Sequence, residues 1–169
     1  MTKLAAIAPT WAVRGNWDVW YWSDVDLFGG TGVHELAARG ETIDVRGQRV
    51  FVGGVAVERE HLVSQVLAEA PRDAYRIFLH HYPDAIEAAA QAGADLYLAG
   101  HTHGGQIALP FYGALVTFSR YGKRFEAGRY RVGATDMYVS RGIGMEGGSM
   151  PRVRFGARPE LAIIDVIGP

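Results

Sequence analysis

Apolar runs that stop abruptly at polar, glycine-bearing turns recur along this chain. Thr10–Arg14, Tyr75–Leu79 and Asp95–Ala99 are short and rich in apolar residues, and the last lies between Gly93 and Gly100. Runs of this length bounded by turn residues predict buried strands. Within residues 58–70, Leu62, Val63, Val66 and Leu67 recur at helical spacing, which predicts an amphipathic helix closed by Pro71. Glu41–Arg46 and Arg49–Val57 predict a hairpin about Gly47 and Gln48, with Gly53 and Gly54 marking a bulge or a close backbone approach. Val33–Arg39 is expected to be a short helix capped by Thr31 and ended before Gly40. Residues 3–8 read as the end of another helix, and Ala85–Ala92 as a third, with Asp84 at its N-cap. After Gln106 the helical spacing disappears. Ile107–Leu109, Leu115–Phe118, Gly128–Val132, Met137–Ser140 and Leu161–Ile167 alternate or run apolar between glycine-rich turns. An antiparallel β half is therefore expected to follow an α/β half, in one domain spanning residues 1–169.

Composition narrows the function classes. A chain 49% hydrophobic and 21% charged is ordinary for a globular protein, and a net charge of −1 gives no basic footprint for nucleic acid. With no cysteine there is no disulfide framework and no thiol nucleophile. No G-x-S-x-G turn is present. No apolar run approaches the ~18 residues that suggest a spanning helix, and the first eight residues are too short for a secretory signal. A cytoplasmic chain, or one peripheral to a membrane, is expected.

The candidate chemistry sits where the apolar runs end. His101 and His103 lie two apart, so they cannot share a helix face. In a loop just past a strand end they can turn toward one cavity, and Gly104 and Gly105 let the backbone come close to a ligand. Neutral imidazoles suit Zn, Mn, Fe or Ni, whereas the plain alternative is a polar turn with two solvated histidines. Asn16 follows the first run, and His80 and His81 follow the second; strand alternation leaves open which of these two points inward. Sites in open α/β sheets collect outside the carboxyl ends of the strands. The aromatic cluster Trp17, Trp20, Tyr21, Trp22 and Phe28 reads as a core or lid patch, or else as an apolar wall for a lipid or nucleotide substrate. Asp24, Asp26 and His61 read as solvated. Gly142, Gly144, Gly147 and Gly148 form one glycine-rich loop, and Arg141, Arg120 and Lys123 are candidate phosphate or headgroup contacts.

Gly15-Asn-Trp-Asp18, His81-Tyr-Pro-Asp84 and Gly100-His-Thr-His-Gly-Gly-Gln106, in that order, resemble the second half of a calcineurin-like metallophosphoesterase. The closest branch is the bacterial one that includes membrane-associated phosphodiesterases and UDP-diacylglucosamine hydrolases. Tyr121-Gly-Lys123, Gly128-Arg-Tyr130, Tyr138-Val-Ser-Arg-Gly-Ile-Gly144, Pro151-Arg152 and Arg158-Pro-Glu160 follow its pattern too. The resemblance implies an αββα sandwich lacking its N-terminal βαβ segment, because the opening D-x-H and GD-x-x-D motifs are absent. It implies hydrolysis of a phosphodiester or pyrophosphate at two divalent ions about 3.5–4 Å apart. Asn16, His81 and His101 would hold one ion, and His103 would contribute to the other. His80 and Asp18 are the remaining candidate catalytic groups, and Trp17 and Arg141 candidate substrate contacts. Residue 17 is Trp where the family usually has a histidine general acid; indole is a donor only. Asp18 then loses the partner it would orient. The implied partner is a phosphoester with an apolar or lipid part, with peripheral membrane contact. The alternative is a catalytically inactive metal-binding or interaction module of the same fold.

Overall fold

Parallel strands covered on both faces need apolar residues at nearly every position, and residues 50–55, 75–80 and 96–99 supply them. The computed structural model describes residues 1–147 and 151–167, so Gly148 lies outside the described residues. The chain begins with helix α1 (Thr2–Ala5), strand β1 (Trp11–Ala12), helix α2 (Asn16–Trp22) and strand β2 (His34–Glu35), which pairs parallel with β1. The hairpin of β3 (Arg39–Val45) and β4 (Gln48–Val55) follows, turning at Gly47 with φ +80°. A 3₁₀ segment, Val57–Leu62, leads into α3 (Val63–Ala68), then β5 (Tyr75–His80), α4 (Ile86–Gln91) and β6 (Leu96–Ala99). A small hairpin of β7 (Ala108–Leu109) and β8 (Gly113–Ala114) precedes β9 (Gly128–Val132) and β10 (Thr135–Val139).

The fold is mixed α/β. Six strands form one sheet in the order β3-β4-β5-β6-β10-β9, in which β4, β5, β6 and β10 are parallel and the two edges antiparallel. The late strands therefore extend the same sheet and do not form a separate antiparallel half. Met137 and Val139 on β10 are fully buried, which accounts for its place beside β6. Gly53 and Gly54 sit in regular register in β4, so there is no bulge; they allow close approach instead. A Cβ at Gly53 would lie 2.7 Å from the Phe51 ring and 3.2 Å from Val66 on α3. One at Gly54 would lie 2.7 Å from Val13 and 3.1 Å from Leu36. Successive strand residues face opposite sides. Helix α3 thus covers one face of the sheet, and the β1–β2 segment covers the other.

Several local expectations give way to tertiary pairing. Val33–Arg39 is not helical: His34–Glu35 pairs with β1, Leu36 is buried, and Glu35 takes the Arg14 guanidinium at 2.6 Å. Thr31 caps no helix; its hydroxyl donates to the Phe28 carbonyl. Residues 15–18, expected as a loop, start α2. Leu115–Phe118 and Leu161–Ile167 have no strand partner among the described residues, and Leu161, Ile163 and Ile167 are exposed. Asp84 is not a side-chain cap. Its carboxylate instead accepts from the Ser119 hydroxyl and the Arg120 backbone N–H, tying a later loop to the start of α4. No helix among the described residues is long and apolar enough to cross a membrane.

Candidate functional site

Because β4, β5, β6 and β10 are parallel, their carboxyl ends lie along one edge of the sheet. His81 follows β5 directly, and the Gly100 N–H bonds the His81 carbonyl at 3.0 Å. Asn16 opens α2 and is 4% exposed. Its Oδ1 lies 2.8 Å from His81 Nε2, and the His81 and His101 rings are 5.2 Å apart. Gly15 is required by this approach, since a Cβ there would lie 2.9 Å from the His81 ring. Tyr82 sets its ring edge-on to His101 at 4.3 Å, and His101 Nε2 lies 3.3 Å from the Phe118 carbonyl.

The loop after β6 is held in a costly conformation. His101, His103 and Gln106 all have positive φ, which non-glycine residues seldom adopt. Thr102 and Gln106, both buried, pin it: Thr102 donates to the Glu126 carbonyl at 2.7 Å and Gln106 Nε2 to the Pro151 carbonyl at 2.6 Å. Gly105 has φ +78° and a Cβ there would lie 2.3 Å from Ala114, so the loop can pack only with glycine.

Burial disfavours the charged form of each imidazole. It pushes His81 down to about 3, with the neighbouring His101 adding to the effect. Burial also lowers His101, and it lowers His103 with help from the Arg154 guanidinium. The lowered values favour the neutral form of all three rings at pH 7. Two donors each about 2.0–2.2 Å from one ion at cis or tetrahedral angles stand roughly 3–3.5 Å apart. The Asn16–His81 spacing is close to that, and His101 adjoins it, so this donor set fits one divalent ion.

The other candidate residues are placed differently. His103 lines the same cavity as His101 but has charged partners: its Nδ1 lies 3.0 Å from Arg154 Nη2, and its Nε2 lies 3.9 Å from a Glu146 oxygen. His80 is 1% exposed, with Nδ1 on the Val55 carbonyl at 3.0 Å and Nε2 facing Glu60 at 3.8 Å; it points into the core, away from solvent. Asp18 accepts from the Gly15 N–H at 2.8 Å, capping its own helix. Trp17 donates its indole N–H to Glu146 at 2.6 Å and stacks on Tyr21. Trp20, Tyr21 and Trp22 are exposed rather than core, Trp20 by 64%. Arg141 pairs with Glu160, Arg120 with Glu60 and Asp84, and Lys123 lies over the Tyr112 ring. Glu146 and Arg154 are the site residues that the sequence did not announce. The one available hint was a carboxylate inside the glycine-rich loop.

No family model matches the chain, and no solved structure matches it. Curated sequences do. The uncharacterized metallophosphoesterase YkuE of Bacillus subtilis is 46% identical over 89 residues, 53% of this chain and 30% of that protein. The phosphodiesterase YaeI of Escherichia coli is 35% identical over 92 residues, 54% of this chain and 32% of that protein. Over about half of its length the chain is thus similar to proteins named metallophosphoesterase and phosphodiesterase. The uncharacterized protein YpbG of Bacillus subtilis is 28% identical over 148 residues, 85% of this chain and 52% of that protein. The chain thus spans about a third to a half of the length of the curated relatives it matches. Metallophosphoesterases generally use divalent metals. Among the described residues no group of three or more His, Cys, Asp or Glu stands ready to hold one, and the donor set here depends on the Asn16 amide.

Proposed function

We propose that this chain carries the strand-end half of a metal-dependent phosphodiester or pyrophosphate hydrolase centre within a metallophosphoesterase αββα sandwich. The observation that carries the reading is the convergence of Asn16, His81 and His101, all neutral, at the carboxyl edge of the parallel strands. A divalent ion held there would polarise a phosphoryl oxygen and lower the pKa of bound water. The residues of the chain do the rest. Gly15 admits the His81 ring, Tyr82 fixes the His101 ring, and Thr102 and Gln106 hold the loop in its strained form. Trp17 offers its ring and one N–H but no transferable proton near neutral pH, and Asp18 is committed to the helix cap. The leaving oxygen therefore departs without a protein acid from this motif. The exposed Trp20, Tyr21 and Trp22 support a substrate with an apolar or lipid part and peripheral contact with a membrane face.

The test is hydrolysis of an aryl and an alkyl phosphodiester by the purified chain, metal-free and with Mn²⁺ or Zn²⁺. A general acid contributes ~10²–10⁴-fold, most for poor leaving groups. Metal should stimulate cleavage of the aryl ester, His81→Ala and His101→Ala should abolish it, and the alkyl ester should be cleaved far more slowly. No stimulation by metal on either ester would contradict the reading.

A further inference from the structure

We infer that this chain's centre takes one divalent ion, at Asn16, His81 and His101, and that Arg154 closes the position where His103 would hold a second. The inference rests on the metal-dependent reading above. The two histidines of the loop differ in what faces their nitrogens. His81 Nε2 faces the Asn16 carbonyl oxygen and His101 Nε2 the Phe118 carbonyl oxygen. A carbonyl that accepts an imidazole proton is equally a ligand for a cation, so an ion can take that proton's place. His103 Nδ1 faces an Arg154 N–H, and a guanidinium has no lone pair to offer. Nδ1 must therefore be the acceptor, which puts the proton of the neutral ring on Nε2. Neither nitrogen is then free for an ion.

Arg154 is not a loose side chain that an ion could push aside. Its guanidinium donates to the carbonyls of Arg141 at 2.7 Å, Gly144 at 2.8 Å and Ala157 at 3.2 Å. A second ion on His103 would sit against that fixed positive charge. Glu146, the carboxylate facing His103, already accepts the Trp17 indole N–H, so it is only partly available to offset the repulsion. Where two ions would share the charge of a phosphate, this chain sets one ion and one fixed guanidinium.

Equilibrium dialysis of the intact chain against Zn²⁺ or Mn²⁺, with metal counted per chain by mass spectrometry, tests this. The variants are His101→Ala and His103→Asn; Asn tolerates the positive φ at position 103 and keeps an acceptor for Arg154. Circular dichroism checks that each remains folded. The expected result is about one ion per wild-type chain, retained in His103→Asn and weakened more than about 100-fold in His101→Ala, beyond the 10–100-fold cost of losing an outer partner. Two ions per wild-type chain would overturn the inference and leave the metal-dependent reading standing. One ion lost in both variants would also overturn it, because His103 would then be a ligand. No ion on the wild type would overturn the metal-dependent reading itself.

Discussion

The two sides of the strand-end cavity are built from the same residue type and end in opposite states. On the Asn16–His81–His101 side, partly buried neutral rings face carbonyl oxygens, with no hydrogen bond to a guanidinium among the described residues. On the His103 side, the imidazole is bracketed by the Arg154 guanidinium and the Glu146 carboxylate, which the Trp17 indole holds in turn. The difference teaches that a motif specifies donors, while the partners of those donors decide whether a cation can be accepted. His101 and His103 are two residues apart on one loop, and only His103 has a guanidinium against a ring nitrogen.

The largest way to sharpen this contrast is to remove one imidazole from each side. His81→Ala should weaken divalent-ion binding more than about 100-fold, and His103→Ala should leave it within about 10-fold, by calorimetric titration. Similar losses from both would erase the distinction between the two sides. The next effect is steric. Gly15→Ala places a methyl 2.9 Å from the His81 ring, and overpacking of this kind costs about 1–3 kcal/mol. Thermal denaturation should show a lowered midpoint, with weakened ion binding; an unchanged midpoint and unchanged affinity would mean that the Gly15–His81 approach is not a tight one.

Much of the first side was legible in the sequence, because strands that end at glycine or proline place the next residue at a predictable edge. Asn16, the His80–His81 pair and His101 were placed at strand ends that way, His81 was singled out only by the family resemblance, and the apolar run of residues 96–99 located the edge itself. Strand alternation alone left His80 and His81 undecided; the structure buries the first and turns the second toward Asn16. The second side was not legible. Arg154 is 51 residues from His103 and Glu146 is 129 from Trp17, so no local pattern joins them. Helix α2 was hidden because Trp17–Trp22 is aromatic and weak in helix propensity, and its Asp18 cap was read as part of a loop. Val33–Arg39 looked helical because spacing does not encode the β1 partner that makes its start a strand. Leu161–Ile167 looked like a strand because apolar alternation does not say whether a partner edge is present.

Acid should act mainly through the first side. In the metal-free protein His81 stays neutral down to about pH 3, whereas the unfolded chain protonates it near 6.5. Between those values the unfolded state binds the extra proton, so stability is full above about pH 6.5 and falls as pH drops toward 3. His101 and His103, also lowered, add the same sign. Urea denaturation at successive pH values should show a smaller acid loss in His81→Gln than in the wild type, and an identical profile would contradict the burial of a neutral ring. The smallest effect is expected at Trp17. Trp17→Phe removes the indole donor from the half-buried Glu146 and should cost about 1 kcal/mol by urea denaturation, with ion binding at Asn16, His81 and His101 unaltered.

The most direct measurement is a Zn²⁺ titration of the ¹⁵N-labelled chain, following the imidazole nitrogens of all six histidines. With up to one equivalent, the His81 and His101 nitrogen signals should shift together while those of His103 stay within the range set by its bond to Arg154. Joint shifts of His103 with His101, or shifts at exposed histidines such as His34 without His81, would contradict a single ion held by Asn16, His81 and His101.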